Sequence, residues 1–203
     1  PNLIDWELLS AFGSEYGAHG GVWECPDLIQ LPVEGEDQKK WVLIVSINPG
    51  GPNGGSVVQY FVGEFDGVEF ICDDRPEVVK WADFGRDFYA AVTWSNLSEP
   101  IWIGWMNNWQ YANQVPSEPF TSAMSIPRKL GLCRVDGEFT LVQSPIDLSS
   151  LFKKVVVSNE TITLRSNETY QVKLDNRQLF AKANVMNSTA SEFLITFRGE
   201  QER

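Results

Sequence analysis

Residues 41–65 read WVLIVSINPGGPNGGSVVQYFVGEF, and this stretch decides the fold. Its two apolar runs, Trp41–Ile47 and Val57–Phe65, are rich in aromatic and β-branched residues, and a loop of glycine, proline and asparagine separates them. Glycine supplies positive φ and proline presets a turn corner, so the pattern predicts a strand, a loop and a second strand. A phosphate-binding loop is disfavoured, because such a loop leads into a helix and here a strand pattern follows.

Short runs of the same kind recur along the chain, and no stretch shows a sustained helical period. Glycine, proline, asparagine and aspartate separate these runs. The chain is therefore predicted to be all-β. The other predicted strands are Phe88–Trp94, Ile101–Met106, Phe139–Val142, Thr161–Leu164, Tyr170–Leu174 and Phe193–Phe197.

A change in composition predicts two units. All eight tryptophans lie in the first 109 residues, whereas the end of the chain is rich in serine, threonine and asparagine. Ser144-Pro145 interrupts the strand pattern between them. We expect residues 1–145 to form one unit and residues 146–203 to form the opening strands of a β-sandwich. Too few strands remain to close two sheets, so we also expect the chain to be cut short at this end.

The charge and composition of the chain exclude several classes of partner. Its 203 residues are 43% apolar and have a net charge of −11, which disfavours nucleic acid and anionic lipid. No apolar run approaches the ~20 residues of a membrane span. The three cysteines and the single histidine have no metal-ligand spacing, so we predict neither a metal site nor a cofactor. A neutral ligand fits best, and the oligomeric state stays open.

Four Asn-X-Ser/Thr sequons predict a secreted glycoprotein. Roughly one or two would arise by chance at this composition. The alternative, chance sequons in an unglycosylated protein, stays open. The candidate glycosylation sites are Asn96, Asn159, Asn167 and Asn187.

Trp23-Glu24-Cys25-Pro26 is the strongest candidate for chemistry. Apolar neighbours disfavour the charged form of a glutamate, so Glu24 is expected to hold a proton near neutral pH, as a general acid must. The alternative is a solvated surface glutamate at a strand end. Cys25 is interpreted as a small buried packing residue.

The segment Trp102-Ile103-Gly104-Trp105-Met106-Asn107-Asn108-Trp109 indicates a sugar site. Indole faces stack on the apolar faces of sugar rings, and amides supply hydrogen bonds to hydroxyl groups. Core packing is the alternative for most of the eight tryptophans. Stacking planes beside two amides nevertheless suit a polyol ligand.

Six blocks, in this order along the chain, resemble glycoside hydrolase family 32, in particular the fungal and yeast exo-inulinases and invertases. The resemblance is strong over about residues 6–145 and weak beyond them. The blocks are Trp23-Glu24-Cys25-Pro26, Ser46-Ile47-Asn48-Pro49-Gly50, Gln59-Tyr60-Phe61-Val62-Gly63, Asp83-Phe84-Gly85-Arg86-Asp87-Phe88-Tyr89-Ala90, Trp105-Met106-Asn107-Asn108-Trp109 and Met124-Ser125-Ile126-Pro127-Arg128-Lys129-Leu130.

This resemblance implies a five-bladed β-propeller followed by a β-sandwich, with residues 1–145 as about blades three to five. It implies hydrolysis of terminal β-D-fructofuranosyl residues of sucrose, inulin or levan with retention of configuration. In that scheme Glu24 is the general acid/base. Asp87, Trp105 and Trp109 would shape the fructose subsite.

Two blocks of the family are missing from the chain. The nucleophile lies in an Asn-Asp-Pro-Asn-Gly-like block and a second aspartate in an Arg-Asp-Pro block, and neither occurs here. The chain is therefore expected to be an internal piece that has the acid/base but not the nucleophile, and to be inactive alone. A fructosyltransferase on the same scaffold and a non-catalytic sugar-binding fragment remain alternatives.

Overall fold

A computed structural model of the chain describes residues 2–116, 118–151, 154, 161–173, 180–196 and 198. It divides into two compact units, Pro1–Asp147 and Leu148–Arg203. The described residues of the first unit form nine β-strands, and the only helical elements described are short 3-10 turns at Ala112–Gln114 and Ser149–Leu151. The strands are β1 Val22–Pro32, β2 Lys39–Asn48, β3 Val57–Phe65, β4 Phe70–Cys72, β5 Lys80–Trp81, β6 Tyr89–Thr93, β7 Ile101–Trp105, β8 Arg128–Val135 and β9 Glu138–Pro145.

The nine strands form two antiparallel sheets. In the first sheet the order is β1-β2-β3-β4, and β5 also pairs with β3. β4 and β5 pair with successive parts of β3. Together they form the outer strand of this sheet, which is interrupted between Cys72 and Lys80. The second sheet has the order β6-β7-β8-β9. Both are meanders of sequence neighbours, the arrangement of a propeller blade.

The main core lies between the two sheets. The first sheet contributes alternate residues of β2 and β3, the second contributes Trp102 and Leu132, and Phe88 joins the core from the position just before β6. A second cluster, around Val45 and Phe61, lies on the other face of the first sheet. β3 is therefore buried on both faces, which explains why its apolar residues stand at consecutive positions instead of alternating ones.

The two strands that flank the glycine-rich loop agree with the sequence prediction. β3 has the predicted bounds, and β2 is longer than predicted by a few residues at its ends. The sequence analysis missed β1 and β8, and also the short strands β4 and β5. Glu24-Cys25-Pro26-Asp27 interrupts the alternation of β1, and lysine, arginine and glycine dilute the apolar pattern of β8.

In the second unit, the described residues contain no strand. Thr161–Leu164 and the described parts of Tyr170–Leu174 and Phe193–Phe197 were predicted as strands and are not strands in the structure. Phe193, Leu194 and Ile195 are exposed. An apolar pattern is not sufficient for a strand, because a strand also requires backbone hydrogen bonds to a neighbouring strand. The assignment of this unit to a β-sandwich, and of the two sheets to particular blades, stays a prediction.

Candidate active site

Glu24 lies near the start of β1, beside a β-bulge. β1 pairs with β2 through Glu24↔Ser46 and Asp27↔Ile44, so β1 has one more residue than β2 between these pairs. Cys25, inside the bulge, has a φ of 49°. Ser46 and Ile44 share a face of β2, and the extra residue places Glu24 and Asp27 on one face as well. Since Ile44 belongs to the core between the sheets, both acidic residues face the second sheet.

Glu24 accepts a hydrogen bond across the two sheets. The phenol of Tyr89, the first residue of β6, donates to Oε2 of Glu24. Tyr89 is 3% exposed, whereas Glu24 is exposed. Burial, and after it the bond to the Glu24 carboxylate, raise the pKa of Tyr89 far above its ordinary value, so the phenol remains a donor throughout the physiological range.

The tetrapeptide Trp23–Pro26 is more exposed than the sequence analysis expects. Glu24 and Cys25 are both exposed, so the expected burial of the cysteine is wrong, and the expected apolar enclosure of the glutamate is not found. Neighbouring side chains on a strand point to opposite faces, so Trp23 packs away from Glu24, against Phe61 at a ring distance of 5.4 Å. The bulge directs Cys25 outward.

Two further hydrogen bonds join β1 and β6. Oδ2 of Asp27 accepts from the backbone N–H of Thr93 at 2.8 Å and from its hydroxyl at 2.7 Å. Asp27 lies on β1 and Thr93 at the end of β6. The edge strands β1 and β6 are thus held together at two points, one of them at Glu24.

The two predicted subsite tryptophans lie next to this contact. Trp105 is directly opposite Tyr89 in the β6/β7 pair, and their ring centroids are 6.3 Å apart. Trp109 lies 5.0 Å from Trp105 and is 51% exposed. The structure therefore places Glu24, Tyr89, Trp105 and Trp109 in a continuous row that ends on an exposed indole.

The side chain of Asn108 is not available to a ligand. It is fully buried, and its Nδ2 donates to the carbonyl of Arg86 at 2.8 Å and more weakly to those of Gly54 and Ser56. Its Oδ1 accepts from the backbone N–H groups of Ser56 and Gln110. Asn108 connects three loops at the end of the sheets where Glu24 lies.

The neighbouring amide is also occupied. Asn107 is 3% exposed, donates to the Ser122 hydroxyl at 2.9 Å and accepts from the backbone N–H of Asn108. The expectation that these two amides bind a polyol is therefore wrong. The amides hold the loop from which Trp109 projects, and the tryptophans alone remain available for stacking.

Asp87 lies on the loop before β6. It is exposed and accepts a hydrogen bond from the phenol of Tyr111, which raises the pKa of that phenol. The two residues line a depression of about 270 Å³ together with Met106 and Asn107, the two residues that follow Trp105 in sequence. Asp87 is thus placed beside the tryptophan loop, and its described hydrogen bond is to Tyr111.

The described residues contain neither a group of metal ligands nor a membrane-spanning helix. Among the described residues, no three histidine, cysteine, aspartate or glutamate side chains are grouped as metal ligands would be. No helix in this part of the chain is long and apolar enough to cross a membrane.

Comparison with known proteins identifies the family. The family model "Glycosyl hydrolases family 32 N-terminal domain" matches residues 1–145. The chain belongs to glycosyl hydrolase family 32. It is 44% identical to a levanase of Bacillus subtilis over 99% of this chain and 31% of the levanase. It is 42% identical to an extracellular exo-inulinase of Aspergillus awamori over 97% of this chain and 38% of that protein. The family 32 chain thus spans about a third of the length of these relatives.

Solved structures of family 32 proteins agree with the fold. The exo-inulinase of Aspergillus awamori matches with a TM-score of 0.69 and 47% identity, over 74% of this chain and 31% of that one. A fructofuranosidase of Schwanniomyces occidentalis, solved in complex with fructose, matches with a TM-score of 0.68 and 42% identity, over 73% and 30%. These similarities confirm the predicted fold class, an all-β portion of a β-propeller.

Three of the four candidate glycosylation sites of this family 32 chain are described. Asn96, Asn167 and Asn187 are exposed, and each has a positive φ, between 51° and 64°. Asparagine adopts this conformation in turns more readily than most residues, so all three stand where the backbone bends at the surface. Asn159 lies outside the described residues.

Sequence reasoning missed Tyr89, Asp27 and Thr93 as parts of the site. Tyr89 stands 65 residues from Glu24 and Thr93 stands 66 from Asp27, so no spacing connects the partners. The signal that could have found them is their position relative to the family 32 blocks. Tyr89 lies in the block that ends at Ala90, and Asp27 directly follows the block that contains Glu24.

Proposed function

We propose that this chain supplies the acid/base side of an active site that hydrolyses terminal β-D-fructofuranosyl residues of sucrose, inulin or levan. The observation that supports this most is an exposed carboxyl, Glu24, next to a row of aromatic rings that ends on Trp109. The relatives named levanase, exo-inulinase and invertase agree with a fructosyl substrate. Trp105 and Trp109 would stack on the sugar, and Asp87 would border the pocket.

The proposed reaction has two displacements. In the first, Glu24 gives its proton to the glycosidic oxygen while the bond from that oxygen to the anomeric carbon breaks and a second carboxylate bonds to that carbon. In the second, Glu24 takes a proton from water, whose oxygen displaces the carboxylate and restores the original configuration. Asp27 is on the same face as Glu24, but Thr93 occupies one of its oxygens. We infer that the nucleophile comes from residues outside this chain.

The proposed role of Glu24 is tested in the protein at its full natural length. Glu24→Gln keeps the shape of the side chain and removes the proton that it would transfer, so kcat/KM for sucrose should fall about 10²- to 10⁴-fold. Glu15→Gln is the control, because Glu15 is exposed on the segment before β1. The kcat/KM of this variant for sucrose should be unchanged. Equal activity of both variants would refute the proposal.

The stereochemistry and the acceptor are tested by product analysis. With methanol as the acceptor, a retaining enzyme keeps the configuration of the fructosyl group and forms methyl β-D-fructofuranoside. An inverting enzyme does not form this product. At high sucrose concentration, free fructose should dominate among the products. Longer oligosaccharides as the main product would instead identify a fructosyltransferase.

Secretion is proposed for the same protein. Relatives include extracellular exo-inulinases, and the three described sequons lie on exposed turns. Expression in a yeast secretory pathway, followed by enzymatic removal of N-glycans, should lower the apparent mass. An unchanged mass would contradict the glycoprotein part of this proposal.

A further inference from the structure

The two strands that meet at Glu24 have matching irregularities. In β1 the bulge follows Glu24 directly, and Cys25 has a φ of 49°. In β6 a bulge follows Tyr89 directly, between the pairs Tyr89↔Trp105 and Val92↔Ile103, and Ala90 also has a φ of 49°. The two residues that share the hydrogen bond are thus each the last regular residue before a bulge. Bulges bend a strand and redirect the side chain beside them.

The geometry points to Tyr89 as the positioning residue of Glu24: we propose that its phenol O–H fixes the carboxyl group in the orientation in which it meets the glycosidic oxygen. This inference rests on the proposed function. Tyr89 bonds to Oε2 only, which leaves Oε1 to hold the proton that is transferred. The tyrosine itself does not touch the reacting atoms in this arrangement.

An exposed glutamate needs such a partner. A free glutamate side chain occupies many rotamers, and fixing it costs conformational entropy that a catalytic site must supply before the reaction. Tyr89 is suited to the task because its ring is 3% exposed and packs against Trp105 at 6.3 Å. A buried aromatic side chain has few rotamers, so its O–H is a fixed point for the mobile carboxyl.

The position of Tyr89 relative to β1 is fixed independently. Asp27 accepts two hydrogen bonds from Thr93, so β1 and β6 are joined a second time on the far side of both bulges. This second joint restricts sliding between the strands, which would otherwise separate Tyr89 from Glu24. The site is held at two points, and only one of them uses the catalytic side chain.

The competing interpretation is that Tyr89 merely holds the two sheets together. Tyr60 offers a matched control for that role. It is also buried, at 5% exposure, and its hydroxyl accepts a hydrogen bond from the backbone N–H of Leu141 in the second sheet, at 3.1 Å. Removal of either hydroxyl breaks one bond between the sheets, but only Tyr89 contacts Glu24.

The experiment compares two substrates in the protein at its full natural length. Sucrose loses a sugar alkoxide that requires a proton from Glu24 as the bond to carbon breaks, whereas β-D-fructofuranosyl fluoride loses fluoride, which needs much less protonation. For Tyr89→Phe we expect kcat/KM to fall about tenfold for sucrose and far less for the fluoride. For Tyr60→Phe, any loss should be equal for the two substrates.

The outcomes separate the two proposals. A Tyr89→Phe variant with unchanged kcat/KM, or with equal losses on both substrates, would overturn the positioning role. If Glu24→Gln also fails to distinguish the substrates, the proposed function itself is refuted. If Glu24→Gln distinguishes them and Tyr89→Phe does not, only the inference fails.

A second replacement covers the case in which Tyr89→Phe does not fold. Incorporation of 4-fluorophenylalanine at position 89 keeps the ring and fills the position of the hydroxyl with a fluorine atom, which has no proton to donate to Glu24. The ratio of kcat/KM for sucrose to that for the fluoride should then differ from the unmodified protein by about twofold or more. An unchanged ratio would overturn the inference.

Discussion

At the residue scale, Asn108 shows how a polar side chain in a segment predicted to bind sugar serves the fold. Its amide makes hydrogen bonds in both directions to Gly54, Ser56, Arg86 and Gln110. A buried amide is tolerated only when its donors and acceptors are satisfied, and here backbone groups of three loops satisfy them. The residue therefore fixes the loops around the site without contacting a ligand.

Asn108→Ala should destabilise the protein by about 3 kcal/mol, because several buried backbone groups lose their partner at once. Urea denaturation of the protein at its full natural length measures the change. Asn113→Ala is the control: Asn113 is exposed, in the short turn Ala112–Gln114, and its replacement should change stability by less than about 0.5 kcal/mol. Similar values for the two variants would contradict this account of Asn108.

At the scale of single elements, the bulges of β1 and β6 determine the geometry of the site. Without the extra residue in β1, Glu24 and Asp27 would point to opposite faces, because side chains alternate along a regular strand. The left-handed φ values of Cys25 and Ala90 are part of this geometry. Non-glycine residues rarely adopt such values, so the choice of side chain at these positions is constrained.

Ala90→Val should destabilise the protein by about 1–3 kcal/mol, because a β-branched side chain is strained at a φ of 49°. Ala90→Gly is the matched variant and should be neutral or slightly stabilising, since glycine adopts positive φ without penalty. Thermal unfolding of the two variants gives the comparison. If valine is tolerated as well as glycine, the bulge at Ala90 is not as described.

The sequence predicted the regular elements better than the irregular ones. Trp41–Ile47 and Val57–Phe65 were found because long apolar runs are separated by unmistakable turn residues. β1 was missed because its bulge breaks the alternation on which strand prediction depends. Glu24 was identified as a candidate from its block, but its partner Tyr89 was not, because sequence spacing contains no information on contacts between sheets.

At the scale of the whole molecule, the first unit exposes apolar side chains. Leu3, Ile4, Trp6 and Leu8 are each at least 75% exposed. Such a group on a soluble protein normally marks a surface that another segment or molecule covers. A propeller buries the faces of its blades by closing on itself, and two sheets alone do not close.

The 203-residue chain by itself should associate in solution, because these apolar side chains have no cover within the described residues. Size-exclusion chromatography with light scattering measures the mass of the particles. A monodisperse monomer with a sharp, cooperative thermal transition would contradict the expectation.

The same chain should not turn over sucrose. A retaining mechanism needs a second carboxylate about 5–5.5 Å from the first, and we have proposed that this nucleophile lies outside the chain. Release of glucose and fructose is the assay. Turnover by the isolated chain that Glu24→Gln abolishes would show that the chain contains a complete site.

The burial of β3 on both faces has a consequence for the dynamics of the first unit. Its backbone amides are paired with β2 on one side and with β4 and β5 on the other. Amide hydrogens exchange with solvent only when such a strand opens, so those of β3 should be the last to exchange in deuterium oxide. The outer strand, interrupted between Cys72 and Lys80, should exchange first in that sheet, and mass spectrometry of the corresponding peptides would measure the difference.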